Sequence, residues 1–328
     1  MVIAGLGLVG KRHADAIDKE DDIDLVAIVD PSEDAVNYSN KNNLPIYPSL
    51  EDMFLEEVPD GVILATPTPM HSEHAIYCLN KKCPIMIEKP IATSSEEARA
   101  LVETSEHFEI PVLVGHHRRH NPIIQKAREI ILSGEIGEIR AIHGNCWFYK
   151  PDEYFEIAPW RKKKGAGPIS VNLVHDIDLI RHLCGQVESV QAQCSPSIRG
   201  FENEDLAAAL LKFENGAIGT VTNTRYATGH ANTLTLEVFC EKGALKVELD
   251  EERKKWSTLH ICEGENVNDI TWDVIECENT PTNYFRFINS IKSNTNDQPD
   301  FLHGAKIQNI LDMCMKSNDI RQWVDITN

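Results

Sequence analysis

The chain has 328 residues, long enough for two domains with separate cores, and its 42 % hydrophobic and 25 % charged content is that of an ordinary globular protein. A formal charge of −19 opposes binding to a nucleic-acid backbone or an anionic lipid surface, and no apolar run approaches the ~20 residues of a membrane span. The 9 cysteines, an odd number scattered without C-x-x-C spacing, argue for reduced thiols in a cytosolic protein and against a disulfide frame or a zinc site.

The first strand is expected at 2–4, short because only four residues precede Gly5. Gly5-Leu6-Gly7-Leu8-Val9-Gly10 follows and opens a helical pattern over 9–19, the context in which a G-x-G-x-x-G motif binds a dinucleotide. Gly5 permits the tight turn, Gly7 lets the backbone approach a pyrophosphate, and Gly10 allows close packing of helix on strand. The helix start then offers N–H groups and a positive dipole end to the anion. The same glycines interrupt the apolar N-terminus, which has no basic region ahead of it, so no signal peptide is expected. A second strand, 25–29, delivers Asp30 twenty residues after Gly10. A carboxylate there accepts hydrogen bonds from the adenosine ribose hydroxyls and repels a 2′-phosphate, favouring NAD over NADP. The plainer alternative is an ordinary Asp-Pro-Ser turn.

Further strands are expected at 61–65, 84–87 and 112–115, with helices at 71–81 and 94–107, the latter capped by Ser94 or Ser95. Strand–helix alternation with near-continuous apolar strands implies a parallel, doubly wound sheet, an α/β architecture over 1–119. Asp30, Thr66-Pro67-Thr68, Glu88-Lys89-Pro90 and His116-His117-Arg118 all lie just past strand ends, where such sheets bind ligands. Beyond Asn121-Pro122 the texture changes. A helix at 123–133 leads into alternating segments at 139–148, 187–193, 206–213, 217–224, 233–240 and 244–249, with turn signals at Glu214-Asn215-Gly216 and Glu241-Lys242-Gly243. One helix carries 177–183, and helices at 284–292 and 304–317 close the chain. Residues 120–328 therefore read as an α+β domain on a mostly antiparallel open sheet that binds substrate and mediates oligomers. Loops at 149–154 and 225–232 are expected to shape its pocket.

Lys89, at a strand terminus facing the crevice, is positioned to hydrogen-bond a substrate hydroxyl beside a nicotinamide, with Glu88 holding its ammonium. The bland alternative is a surface Glu–Lys pair of little energetic value. His175 suits a general base at neutral pH, and Asn172, three residues earlier, shares its helix face; a lone histidine on a helix is more often structural. His175, Asp178 and His182 also have metal-compatible spacing, but intrahelical pairing is the simpler reading and no metal is expected. For His116, His117 and His120, hydrogen bonding near the crevice is preferred to metal binding. Arg161-Lys162-Lys163-Lys164 reads as a solvated loop, or else as an attractor for a substrate anion.

These residues together resemble the glucose–fructose oxidoreductase / inositol dehydrogenase (Gfo/Idh/MocA) family, over essentially the whole chain. The matching stretches are Gly5–Gly10, Arg12-His13, Ala65-Thr66-Pro67-Thr68 with His71, Glu88-Lys89-Pro90, Gly115-His116-His117-Arg118-Arg119-His120-Asn121-Pro122, Trp160-Arg161 and the Gly-rich run into His175-Asp176-Ile177-Asp178. The resemblance implies a Rossmann domain plus an α+β domain and oxidation or reduction of sugars, cyclitols and related alcohols with NAD(P), as a homodimer or homotetramer. The family's lysine falls on Lys89 and its catalytic histidine on His175. Cofactor contacts are then expected from Gly5, Leu6, Gly7, Leu8, Val9, Gly10, Asp30, Pro31, Ala65, Thr66, Pro67, His71, Glu88 and Lys89. Substrate contacts are expected from Asn172, Arg161, Trp160, His116, Arg118 and Asp176. Many sugar and inositol dehydrogenases of the family carry an aspartate four residues before the histidine, where this chain has Val171, so their substrates are not carried over. The expected function is NAD-dependent hydride transfer at a secondary alcohol. A non-catalytic NAD(P)-binding regulator and an NAD-dependent glycoside hydrolase are the alternatives on this fold.

Overall fold

The computed structural model describes residues 1–228, 232–249, 257–264, 271–277 and 283–327; residues 229–231 of the predicted 225–232 loop thus lie outside the described residues. The chain forms two compact units, Met1–His116 with Pro281–Gln308, and His117–Thr280 with Asn309–Asn328.

The first unit alternates β1 (Val2–Ala4), α1 (Leu8–Ile17), β2 (Ala27–Val29), α2 (Glu33–Asn42), β3 (Ile46–Tyr47), α3 (Leu50–Glu56), β4 (Val62–Leu64), α4 (His71–Asn80), β5 (Ile85–Ile87), α5 (Ser95–Phe108) and β6 (Val112–Val114). Its six strands lie in the order β3-β2-β1-β4-β5-β6, every neighbouring pair parallel. Side chains alternate across the strands, so each strand feeds two cores. Val2, Ala4, Val62, Leu64, Ile85 and Ile87 pack with α3, α4 and α5, while Ile3, Ile28, Ile63, Met86 and Leu113 pack with α1 and α2. Burial on both faces is why these strands read as continuous apolar runs and not as alternating ones. The strand order reverses between β1 and β4, the topological switch point at which doubly wound sheets hold a dinucleotide. This is the Rossmann arrangement expected from the sequence. Three elements were not legible: α2 has few apolar residues and starts from its Ser32 cap, β3 is only two residues long, and α3 is only seven.

The second unit contains α6 (Pro122–Ser133), β7 (Ile139–Trp147), α7 (Asp152–Glu156), α8 (Val174–Cys184), β8 (Val187–Pro196), β9 (Glu204–Phe213), β10 (Ile218–Thr224), β11 (Thr233–Cys240), β12 (Gly243–Glu248), β13 (Ser257–Glu263) and β14 (Asp273–Cys277). After them, α9 (Asn283–Ser293) returns to the first unit, α10 (Phe301–Ile320) runs from the first unit's share of the chain into the second's, and β15 (Val324–Asp325) ends the second unit's sheet. That sheet has nine strands in the order β14-β13-β12-β11-β7-β10-β9-β8-β15. Among the described residues only β7 and β10 pair in parallel; the other pairs are antiparallel, as the hairpin signals implied. Helix α8 packs against β7, and α6 against β12, β13 and β14. A single π turn, Ile169–Leu173, leads directly into α8, which Gly185 ends at φ 101°.

Candidate active site

In the first unit the candidate cofactor turn is built by leaving side chains out. Gly5 has φ +90°, and a Cβ there would meet the Ala65–Thr66 backbone at 2.6 Å. A Cβ on Gly10 would lie 1.9 Å from the Gly5 carbonyl oxygen, so only glycine lets α1 sit this close to the turn. At Gly7 a Cβ would meet nothing within 4 Å: the turn holds open space there. Three other helices of the unit begin with a serine whose hydroxyl accepts a backbone N–H (Ser32, Ser49, Ser94), followed by two acids in the first turn. Helix α1 begins at Gly7 with no side-chain cap and no acid in its first turn. Bare N–H groups, an uncompensated positive dipole end and open space are what a pyrophosphate needs, so these residues fit a dinucleotide. Leu6 is buried beneath the turn, while Gly7, Leu8 and Val9 are exposed at its mouth.

Asp30 follows β2, and its carboxylate accepts hydrogen bonds from the Leu6 N–H (2.7 Å) and the Ser32 N–H (2.8 Å), locking acid and glycine turn together. Pro31 is exposed beside it. Past β4, Ala65 and Thr66 are half-buried and Pro67 is exposed. His71 is 1 % exposed, its Nδ1 2.8 Å from the Pro90 carbonyl and its Nε2 2.9 Å from the Thr66 carbonyl. The ring therefore lies between the segments after β4 and β5, and in its neutral form donates to one of the two carbonyls. Burial holds its pKa below the ordinary 6.5, outweighing the two carbonyls and nearby Glu88, which pull it up. Past β5, Lys89 is half-buried. Glu88 accepts from the Lys89 backbone N–H (3.2 Å) and contacts His13 Nε2 at 2.9 Å. A Cβ on Gly115 would lie 2.9 Å from the Glu88 carboxylate, so that glycine makes room for it. The His13–Glu88 contact was missed in the sequence, although both residues belong to matching stretches. His116 ends the unit at 1 % exposure.

In the second unit the candidate residues are gathered around buried charge. A 3-10 turn, His117–His120, lies against α8 through three consecutive residues. His117 meets His175 edge-on, ring centroids 5.2 Å apart; Arg118 Nη1 donates to Asp176 Oδ1 at 2.9 Å; Arg119 Nε donates to Asp178 Oδ2 at 3.1 Å and Nη2 donates to its Oδ1. All four charged residues are at least nine-tenths buried, as is His175 at 7 % exposure. Asp178 also opposes the burial that pushes the Arg181 guanidinium down to about 10. Asn172, on the π turn, is 4 % exposed; its Nδ2 donates to Cys146 Sγ on β7 (3.4 Å), and its Oδ1 has no hydrogen-bond partner among the described residues.

Arg161 turns inward: Nη1 donates to the Tyr154 carbonyl (2.7 Å) and the guanidinium stacks on the Tyr154 ring at 3.9 Å. Trp160 is exposed, Lys163 pairs with Glu202 (2.6 Å) and Lys164 is exposed. The sequence held no signal for Arg225, which lies fully buried just past β10, 5.2 Å over the Phe155 ring. Burial lowers its pKa against the pull of Tyr154, Glu204 and Asp205. Among the described residues no group of three or more His, Cys, Asp or Glu is placed to hold a metal ion, and no helix is long and apolar enough to cross a membrane. None of the nine cysteines, all of them among the described residues, is in a disulfide.

A doubly wound parallel sheet with an open glycine turn, joined in one chain to an open, mostly antiparallel sheet, defines a two-unit protein of the dinucleotide-binding class. Residues 1–116 match the oxidoreductase family with an NAD-binding Rossmann fold, and 124–246 match the GFO/IDH/MocA C-terminal domain. The chain belongs to the GFO/IDH/MocA family and is one of its NAD-binding dehydrogenase-type enzymes. It is 28 % identical over 254 residues to myo-inositol 2-dehydrogenase of Thermotoga maritima, covering 74 % of this chain and 73 % of that one. It is 27 % identical over 270 residues to 4-carboxy-2-hydroxymuconate-6-semialdehyde dehydrogenase of a Sphingobium species, covering 76 % and 79 %. The crystal structure of the WlbA dehydrogenase from Bordetella pertussis, in complex with NADH and UDP-GlcNAcA, superposes with a TM-score of 0.86 at 26 % identity, covering 100 % of this chain and 98 % of that chain.

Proposed function

We propose that the chain catalyses reversible, NAD-dependent oxidation of a secondary alcohol on a sugar, cyclitol or hydroxylated ring acid. The bound dinucleotide supplies the hydride acceptor. Gly5, Gly7, Gly10 and the head of α1 cradle its pyrophosphate, and Asp30 takes the ribose hydroxyls, its charge favouring NAD over a 2′-phosphorylated cofactor. Lys89 hydrogen-bonds the substrate oxygen and stabilises the negative charge that grows on it. His175 accepts the hydroxyl proton, and Asn172 and Arg161 orient the substrate. What carries this assignment is His175 itself, a buried imidazole on the first turn of α8 beside the Arg118–Asp176 pair, with the open Oδ1 of Asn172 one turn earlier. The relatives support the substrate class, since they act on an inositol and on a carboxylated semialdehyde, and one binds a carboxylated sugar nucleotide. Cysteines held in no disulfide suit a reducing cytoplasm. The half-exposed outer face of the large sheet, with Leu206, Leu210, Ile218 and Phe239, suits a homodimer or homotetramer.

The test is NADH formation by absorbance with NAD and NADP across inositols, aldoses, sugar acids and cyclic hydroxy acids, repeated with Lys89→Met. A hit with NAD is expected, and Lys89→Met should cut its turnover by about 10²–10⁴-fold with little loss of NAD affinity. Substantial turnover in the variant would remove Lys89 from the chemistry. NAD binding without NADH release on every alcohol would favour a hydrolase or a regulator.

A further inference from the structure

We propose that His117 is the outlet through which the proton taken up by His175 reaches solvent. This deepens the reading above and rests on His175 being the base. Oxidising an alcohol breaks a C–H and an O–H bond: the hydride leaves with both C–H electrons for the nicotinamide, and the O–H proton goes to the imidazole. A 7 % exposed imidazolium must then shed that proton before the next turnover, and bulk water has little direct access to it. His117 is exposed, and its ring stands edge-on to His175 with centroids 5.2 Å apart, within reach of transfer across one water. The imidazolium N–H bond of His175 breaks as an N–H bond forms on His117, which releases the proton to water. In the reducing direction the path runs backwards. No oxidant or further reactant is needed.

The placement of His117 is itself constructed. The next two residues of its turn, Arg118 and Arg119, are tied to Asp176 and Asp178 on α8. Burying two such pairs is at best neutral for stability, because desolvation offsets most of their attraction. What they provide is register: with both pairs made, the backbone of the turn that carries His117 is held beside α8 and His175. The histidine-and-arginine run 116–120 thereby acquires a use that cofactor or substrate binding alone does not give it.

The test starts without substrate. In the full-length protein labelled with 15N-histidine, exchange of the His175 ring N–H with water is measured by NMR. His117→Phe and His117→Gln are each expected to slow it by about tenfold or more, since neither side chain carries a proton between rings. With the alcohol giving the fastest NADH formation in the screen above, both variants should lose kcat in dilute buffer, keep KM, and regain kcat when free imidazole is added. Unchanged exchange at His175 in both variants, or a kcat loss that imidazole does not restore, would overturn the relay. His175→Asn separates the two readings: retained turnover there means the base is elsewhere, whatever His117 does.

Discussion

At the head of α1 three glycines and an uncapped helix end leave space, whereas around α8 two arginines and two aspartates fill it. The glycine turn is made by backbone geometry within a stretch of six residues, and its function is the room it keeps. The α8 contact is made by long side chains meeting across 58 and 59 residues of chain, and its function is the register it imposes. A ligand-binding surface built of absences costs the fold little and tolerates no added atom. One built of buried charge tolerates no lost partner, because the charge left behind has no water to turn to.

The largest effect should come from breaking a charge pair. Asp178→Asn strands the Arg119 guanidinium in the interior and should cost about 3–5 kcal/mol in chemical denaturation. Replacing both partners together, Arg119→Met with Asp178→Leu, should recover most of it; failure to recover would mean the pair contributes more than mutual neutralisation. The opposite behaviour is expected at the glycine turn. Gly7→Ala adds a methyl where nothing lies within 4 Å, so thermal stability should hold. NAD affinity should nonetheless fall by about tenfold, or ~1.4 kcal/mol, because that is the space proposed for the pyrophosphate. Equal affinity by calorimetry would show that the phosphates sit elsewhere.

A smaller effect sharpens the comparison inside the first unit, where the His71 imidazole lies between two ligand-end segments. Its folded pKa lies below the unfolded 6.5, so the unfolded chain binds the proton more readily. Its stability contribution is therefore complete above pH 6.5 and is lost as pH falls through the folded pKa. His74, also lowered by burial, acts in the same direction. Melting temperature should decline on acidification below pH 6.5, and His71→Gln should flatten that slope. An identical slope in the variant would place the acid sensitivity elsewhere.

The parallel strands, the glycine turn and Asp30 were legible because each is a local pattern: an apolar run buried on both faces, a glycine spacing, an acid at a strand end. Elements without such patterns were not. β3 and β15 are two residues long, α7 is a five-residue turn, and β13 and β14 gain their strand character by pairing onto β12 and onto each other. The spacing of Asn172 and His175 was read as one face of an α-helix. The π turn ahead of α8 changes that pitch and turns the Asn172 amide toward Cys146 on β7.

By itself the sequence determined the fold class and the glycine turn ahead of α1, since periodicity and glycine steric freedom act over a few residues. Only the tertiary structure decided that His13 meets Glu88, that His71 lies between two strand ends, and that the 117–120 turn is pinned to α8. Those contacts join residues far apart in the chain. Charge and hydrogen-bonding capacity are visible in a sequence, but a partner is chosen only when folding removes the water that would otherwise serve as well.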